Sequence, residues 1–186
     1  MANSSEVLIV GGGIIGCSIA YHLASQGTKS TIIERESVGS QASGAATGLL
    51  VSMSQAGIPK SFQELIDESC KRHKEIIPEV QDLSGIDAQY GDFDWMELAC
   101  TEQEELELHR TFGSTLKSPN VSWLSPEDIH RLEPRTTPTA RGAIYIANQA
   151  QVDAYKLTLA FAQAAEALGV KIRYGEVTGL KTNNDQ

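Results

Sequence analysis

Basic residues are scarce in this chain. Lys and Arg number 15 against 24 Asp and Glu, a formal net charge of −9. No basic stripe is available to neutralise phosphates, which argues against a nucleic-acid partner and against docking on an anionic membrane. Cysteine is also sparse. Cys17, Cys70 and Cys100 are odd in number and far apart, with no CxxC pair and no Cys/His cluster. Neither a disulfide framework nor a zinc site is suggested, and no metal is expected. Free thiols in a reducing, cytoplasmic compartment fit this usage. No apolar run approaches a transmembrane length. VLIV at 7–10 is too brief for a signal-peptide core, and MANSSE before it is short and polar. The histidines (His22, His73, His109, His130) are scattered, and no Ser/His/Asp or paired-carboxylate arrangement can be argued, so catalytic residues stay unassigned.

What is present suits a globular protein of one domain or two small lobes: 186 residues, 41% hydrophobic and 21% charged. Val7–Val10 is a continuous apolar run between turn residues, predicting a strand buried on both faces of a parallel sheet. Ile14 to Gln26 predicts a helix stopped by Gly27. Ser30–Ile33 predicts a second strand, ending in Glu34. A segment rich in Gly, Ala and Ser follows, SVGSQASGAATGLLVSM. From Ser61 to Leu83 apolar positions recur at helical spacing, with Pro78 predicted to kink or divide the helix. GIDAQYGDFDWMELACT predicts two short strands around a Gly/Asp turn. TEQEELELHRTF predicts an acidic helix with a Thr101/Glu104 capping box. NVSWL predicts a strand, and Ser125-Pro126 opens a helix. GAIYIAN predicts a strand, and Asp153 to Leu168 a helix closed by Gly169. VKIRYG and EVTGLKT predict two further strands. His73, Cys17, Trp95 and Trp123 are read as packing residues.

The order of elements is informative. A βαβ opening gives way to mixed α+β, and helix and strand resume at Asp153. This predicts an α/β fold in which a Rossmann-like nucleotide-binding lobe (1–50 and 151–186) is interrupted by an α+β lobe (51–150).

Gly11-Gly12-Gly13-Ile14-Ile15-Gly16 satisfies GxGxxG directly after a strand and at the mouth of a helix. Gly11 permits the tight turn, Gly13 lets backbone approach a pyrophosphate, and Gly16 permits close helix–strand packing. The helix N-terminus turns unpaired N–H groups toward phosphates. Glu34 lies 23 residues beyond Gly11, where a carboxylate accepts ribose hydroxyls and repels a 2′-phosphate. No Gly-Lys-Ser/Thr follows, which excludes a P-loop. The fingerprint alone does not divide FAD from NAD.

VLIVGGGIIGCSIAYHLASQG, IIERE and ASGAATGLL together resemble the D-amino-acid oxidase-like superfamily of FAD-dependent oxidoreductases, in its glycine oxidase and sarcosine oxidase-like branch. LSPEDIHRLEP, QVDAYKLTLAFAQAAEALGVKI and GEVTGL extend the likeness over nearly the whole chain. The resemblance implies an FAD-binding lobe and part of a substrate lobe. It implies that Gly11, Gly13, Ile14, Ile15 and Gly16 surround the FAD pyrophosphate, with Glu34 on the adenosine ribose and Arg35 lining the same pocket. Ser43, Ala45, Ala46, Thr47, Gly48 and Leu49 would follow the pyrophosphate, ribityl chain and flavin ring. Val177 would contact adenine through its backbone. Members that attach flavin covalently near this loop carry histidine where this chain has Ala45 and Ala46, so non-covalent FAD is expected.

The implied reaction is oxidation of the C–N bond of a small amine or amino acid by hydride transfer to flavin N5, with oxygen or another electron acceptor. Oxidation of a 2-hydroxy acid or glycerol phosphate on the same scaffold is the alternative, as is a non-catalytic FAD-binding half that needs a partner. Members of this superfamily are longer. Their later half supplies a second glycine segment and the carboxylate-binding Arg and Tyr, so the expectation is an N-terminal fragment that stops at a hairpin turn. A homo-oligomer stays open.

Overall fold

The structure is a computed structural model that describes residues 6–50, 59–115 and 120–181. It divides into two compact units: Met1–Gly48, Lys74–Tyr90 and Val152–Gln186 form the first, and Leu49–His73 and Gly91–Gln151 the second. Residues 74–90, expected in the interrupting lobe, pack with the first unit.

The first unit is built on a parallel sheet of order β1-β2-β7. Strand β1 (Val7–Val10) pairs with β2 (Ser30–Glu34), and β2 with β7 (Lys171–Tyr174). Helix α1 (Ile14–Ser25) links β1 to β2, and Gly27 stops it at φ +81°. Helix α6 (Ala154–Ala167) precedes β7. Asp153 caps it by accepting from Lys156 N–H at 2.9 Å, and Gly169 follows it at φ +95°. Ile9 and Ile32 occupy paired positions and are buried, as are Cys17, Ala20 and Tyr21 of α1 and Leu157, Ala160 and Phe161 of α6. The rings of Tyr21 and Phe161 meet edge-on at 5.6 Å, and the Tyr21 hydroxyl donates to Glu79 Oε1 at 2.6 Å.

Two sequence expectations fail in this unit, and a third, a kink or a break at Pro78, loses its second alternative. β1 is not buried on both faces, because Leu8 and Val10 are 61% and 68% exposed. The helix around Pro78 is not divided: α3 (Lys60–Ser84) runs through it. Ile76, Ile77 and Val80 around the proline are buried, and that packing offsets the hydrogen bond lost at Pro78. The described part of EVTGLKT is not a strand. Residues 175–181 carry no regular structure, since no described strand lies beside them to complete a ladder. The expected hairpin turn falls partly outside the described residues.

The second unit centres on β6 (Gly142–Gln151). It pairs antiparallel with β4 (Gly91–Ala99), with β5 (Val121–Leu124) and with the short β3 (Leu49–Leu50). The expected pair of strands around Gly91-Asp92 is one nine-residue strand. Gly91 and Asp92 join the ladder opposite Gln151 and Ala150, and the irregularity falls instead between Phe93 and Trp95. Ala143 and Ile144 alternate across this sheet. Ile144 packs with Leu108, Phe112, Trp95 and Trp123, from which α4 (Glu102–Thr115) covers one face. Ala143 packs with Ile129 of α5 (Pro126–Leu132), Met96 and Leu124 on the other. Both predicted caps form. Thr101 and Glu104 exchange bonds at 3.2 and 2.9 Å, and Ser125 accepts from Asp128 N–H at 3.2 Å.

Candidate functional site

Strand β1 ends at Val10 and α1 begins at Ile14, so three glycines make the whole turn. Gly11 sits at φ +101°, a left-handed conformation costly for any other residue. Its N–H donates to Ile33 O at 2.9 Å, which keeps the turn on the sheet. At Gly16 a Cβ would lie 2.1 Å from Gly11 O and 3.2 Å from Ile9 Cγ2. Only a residue with no side chain lets α1 start this close to β1.

Two side chains distant in sequence close on the turn. Glu34, at the end of β2, accepts from Gly12 N–H at 2.6 Å through Oε2 and from Glu36 N–H at 2.8 Å through Oε1. These backbone N–H groups, Glu36 first and then Gly12, hold its carboxyl below the ordinary glutamate range. Ser43 lies on α2 (Ala42–Ala45), and its Oγ accepts from Ile14 N–H at 3.0 Å. It thereby serves a donor that the helix itself leaves unpaired. A Cβ on Gly13 would come within 2.9 Å of that same Ser43 oxygen. Gly13, Glu34 and Ser43 line one cleft of about 150 Å³ together with Ser37, Gly39 and Gln41. The cleft therefore combines a helix N-terminus, a charged carboxylate and a hydroxyl within reach of bare backbone. That donor set can take a phosphate on the helix side and sugar hydroxyls at the carboxylate.

The remaining predicted residues are less concentrated. Arg35 is exposed and faces Glu36 at 3.6 Å. Ile15 is 74% exposed beside the turn. Ala45, the last residue of α2, and Ala46 and Thr47 after it are exposed. Gly48 is buried at φ +79°, and its carbonyl accepts from Val152 N–H at 2.9 Å. Leu49 belongs to β3 in the second unit. Val177 is 43% exposed and outside the cleft, although Gly175 N–H just before it donates to Glu34 O at 2.8 Å.

Sequence reasoning missed Gly12, whose N–H meets Glu34, and the lining residues Ser37, Gly39 and Gln41. Their signal was the Gly/Ser-rich run that begins at Ser37. Cys17, read as packing, is wholly buried, and burial with the nearby Glu34 and Glu166 pushes its thiol up to about 12. His109 stacks on Trp123 at 3.7 Å, a packing role. Among the described residues no group of three or more His, Cys, Asp or Glu stands close enough to hold a metal ion. No described helix is long and apolar enough to cross a membrane.

Residues 6–186 match the family described as "DAO: FAD dependent oxidoreductase". The glycine oxidase of Bacillus licheniformis is 34% identical over 172 residues, which is 92% of this chain and 46% of that protein. The crystal structure of glycine oxidase from Bacillus cereus ATCC 14579 superposes with a TM-score of 0.89 at 30% identity, covering 97% of this chain and 50% of that one. L-alpha-glycerophosphate oxidase from Mycoplasma pneumoniae, solved with FAD bound, gives a TM-score of 0.77 at 25% identity over 99% of this chain and 48% of that one. The chain thus spans about half the length of the curated relatives it matches.

Proposed function

The chain belongs to the FAD dependent oxidoreductase (DAO) family, and from that premise we infer that it is the nucleotide-binding part, with some of the substrate lobe, of an enzyme that oxidises the C–N bond of a small amine or amino acid. Glycine, sarcosine and D-amino acids are the substrate class. The observation that carries the reading is the convergence of Gly12 and Glu34 at 2.6 Å and of Ile14 and Ser43 at 3.0 Å on a turn with no side chains. The glycines leave backbone exposed for a pyrophosphate, and Glu34, held ionised, offers acceptors to ribose hydroxyls. This donor set fits FAD.

In this reading Gly11, Gly13, Ile14, Ile15 and Gly16 hold the pyrophosphate. Glu34 and Arg35 flank the adenosine ribose, and the Val177 backbone meets adenine. Ser43, Ala45, Ala46, Thr47, Gly48 and Leu49 follow the cofactor toward the flavin. Residues 1–50 and 151–186 serve the cofactor, and 51–150 contribute to the substrate side. With alanine at 45 and 46, the flavin is held non-covalently. The chemistry the group supplies when bound is hydride acceptance at N5 from the substrate carbon, with oxygen or another acceptor taking the electrons. The chain's own residues position the cofactor and exclude a 2′-phosphate. Its free cysteines suit a cytoplasmic setting.

The likeness to L-alpha-glycerophosphate oxidase favours a second reading, oxidation of a 2-hydroxy acid or glycerol phosphate on the same scaffold. A non-catalytic FAD-binding half that needs a partner is the third. The cofactor is tested by titrating FAD and NADH separately into the chain and following flavin and nicotinamide fluorescence. FAD binds in preference to NADH. A chain that binds NADH and ignores FAD overturns the reading.

A further inference from the structure

Helix α2 is too short to hold itself in place. It has four residues, none of them buried, and among the described residues no side chain caps it. A single turn is far below the length at which a helix is stable alone. Yet α2 places Ser43 Oγ 3.0 Å from Ile14 N–H, and the loop before it places Gly39 N–H 3.0 Å from Gly12 O. Both bonds end on the glycine turn. The position of this segment must be set from outside it.

Helix α6 supplies that anchor. Its start is fixed twice: Asp153 accepts from Lys156 N–H at 2.9 Å, and Asp153 N–H donates to Ala88 O at 2.8 Å. Leu157, Ala160 and Phe161 are buried along it. Two of its side chains reach the segment that carries Ser43. A Cβ on Gly39 would lie 3.2 Å from Tyr155 Cδ2, 3.3 Å from Tyr155 Cε2 and 3.2 Å from Thr158 Cγ2. A Cβ on Gly44 would lie 2.9 Å from the same Cδ2 and 2.2 Å from Gly39 O. One edge of the Tyr155 ring therefore covers the bare backbone of both glycines. Thr158 donates its hydroxyl to Ala154 O at 2.9 Å, which leaves its methyl for Gly39. Gly39 sits at φ +70°, so conformation as well as space disfavours a side chain there.

Tyr155 is 44% exposed, so its ring adds little to the core. The edge it does cover faces Gly39 and Gly44. We propose that Tyr155 is a positioning residue for the cofactor: its ring, seated on Gly39 and Gly44, holds α2 so that Ser43 and Gly39 brace the glycine turn at Ile14 and Gly12. The contact acts before the cofactor arrives. A turn already braced loses less binding free energy to ordering, and apparent affinity scales with the fraction of chains that are braced. The proposal rests on the reading of the Gly11–Gly16 turn as an FAD site and adds to it a residue from α6.

The test compares Tyr155→Ala and Tyr155→Phe in the full chain. Amide hydrogen exchange is read without FAD, and the FAD dissociation constant by flavin fluorescence. In Tyr155→Ala the amides of Ile14 and Gly39 exchange about tenfold faster or more, while those of Ile32 and Leu157 keep their rates. The FAD dissociation constant rises about tenfold. Phenylalanine keeps the ring edge, so Tyr155→Phe matches the wild type in both readings. Phe161→Leu is the stability control. Phe161 is buried on the same helix, edge-on to Tyr21, so this variant lowers the urea midpoint and leaves the FAD constant within about twofold. Three results overturn the proposal: unchanged exchange at Ile14 and Gly39 in Tyr155→Ala, a Tyr155→Phe chain that loses as much as the alanine variant, or a Phe161→Leu chain that loses FAD affinity equally. The exchange reading needs no cofactor. A wild-type chain that ignores FAD therefore sinks the cofactor reading alone, and exchange still decides whether Tyr155 braces the turn.

Discussion

Replacing Gly16 by alanine puts two effects of opposite sign on one helix. Alanine is the better helix former, by up to about 1 kcal/mol in a helix interior. Against that, the new Cβ lies 2.1 Å from the Gly11 carbonyl oxygen and 3.2 Å from Ile9 Cγ2. A relaxed contact needs roughly 3.5 Å, so α1 and β1 must separate by about 1 Å or more. The obstacle is backbone and cannot rotate aside. Opening that spacing also loosens Cys17, Ala20 and Tyr21, all essentially inaccessible in the native packing. Overpacking costs about 1–3 kcal/mol even where side chains can adjust. The steric term therefore wins, with a net loss of about 1–3 kcal/mol. Urea unfolding followed by far-UV circular dichroism reads this as a midpoint roughly 1 M lower. Gly113 is the control. It also lies within a helix, but a Cβ there meets nothing within 4 Å, so Gly113→Ala holds or raises the midpoint. A Gly16→Ala chain as stable as the wild type would refute the close-packing argument.

Glu34→Gln tests the carboxylate. Because the folded Glu34 is held below its ordinary range, its contribution is fully present above the unfolded value near pH 4.3 and is lost as pH falls through the folded value. The variant is less stable at pH 7, and the gap closes on acidification; a gap that stays constant down to pH 3 contradicts the sign. Gly48→Ala places a Cβ 1.9 Å from Val152 O at φ +79° and lowers the thermal midpoint, whereas an unchanged melting curve would show that Gly48 is not packed against Val152 as described. With its thiol pushed up to about 12 and wholly buried, Cys17 resists alkylation at pH 8 while Cys70 and Cys100, both partly accessible, are modified; mass mapping that finds Cys17 labelled first in native protein contradicts its burial. The chain alone, given FAD and glycine, sarcosine or a D-amino acid, releases no more peroxide than free FAD, since positioning of the substrate carbon is worth roughly 7–11 kcal/mol. Turnover above that control would place the substrate site within these residues.

Short-range physics was legible in the residues themselves. Helix ends at Gly27, Thr101, Ser125 and Gly169 are set by caps and left-handed glycines acting within a few positions. The Gly11–Gly16 turn and the placing of Glu34 at the end of β2 follow from spacing alone. What needed distant partners was not legible. Pro78 stays inside α3 because buried neighbours outweigh its local preference. Gly91 and Asp92 become strand because β6 offers them a ladder, and the described part of EVTGLKT does not because no described strand does. The cleft itself belongs to this second kind. Ser43 reaches Ile14 across 29 residues and Glu34 reaches Gly12 across 22. Only the tertiary fold decides which side chain meets a bare backbone turn, because a hydrogen bond is made by proximity in space, whereas propensity and capping act along the chain.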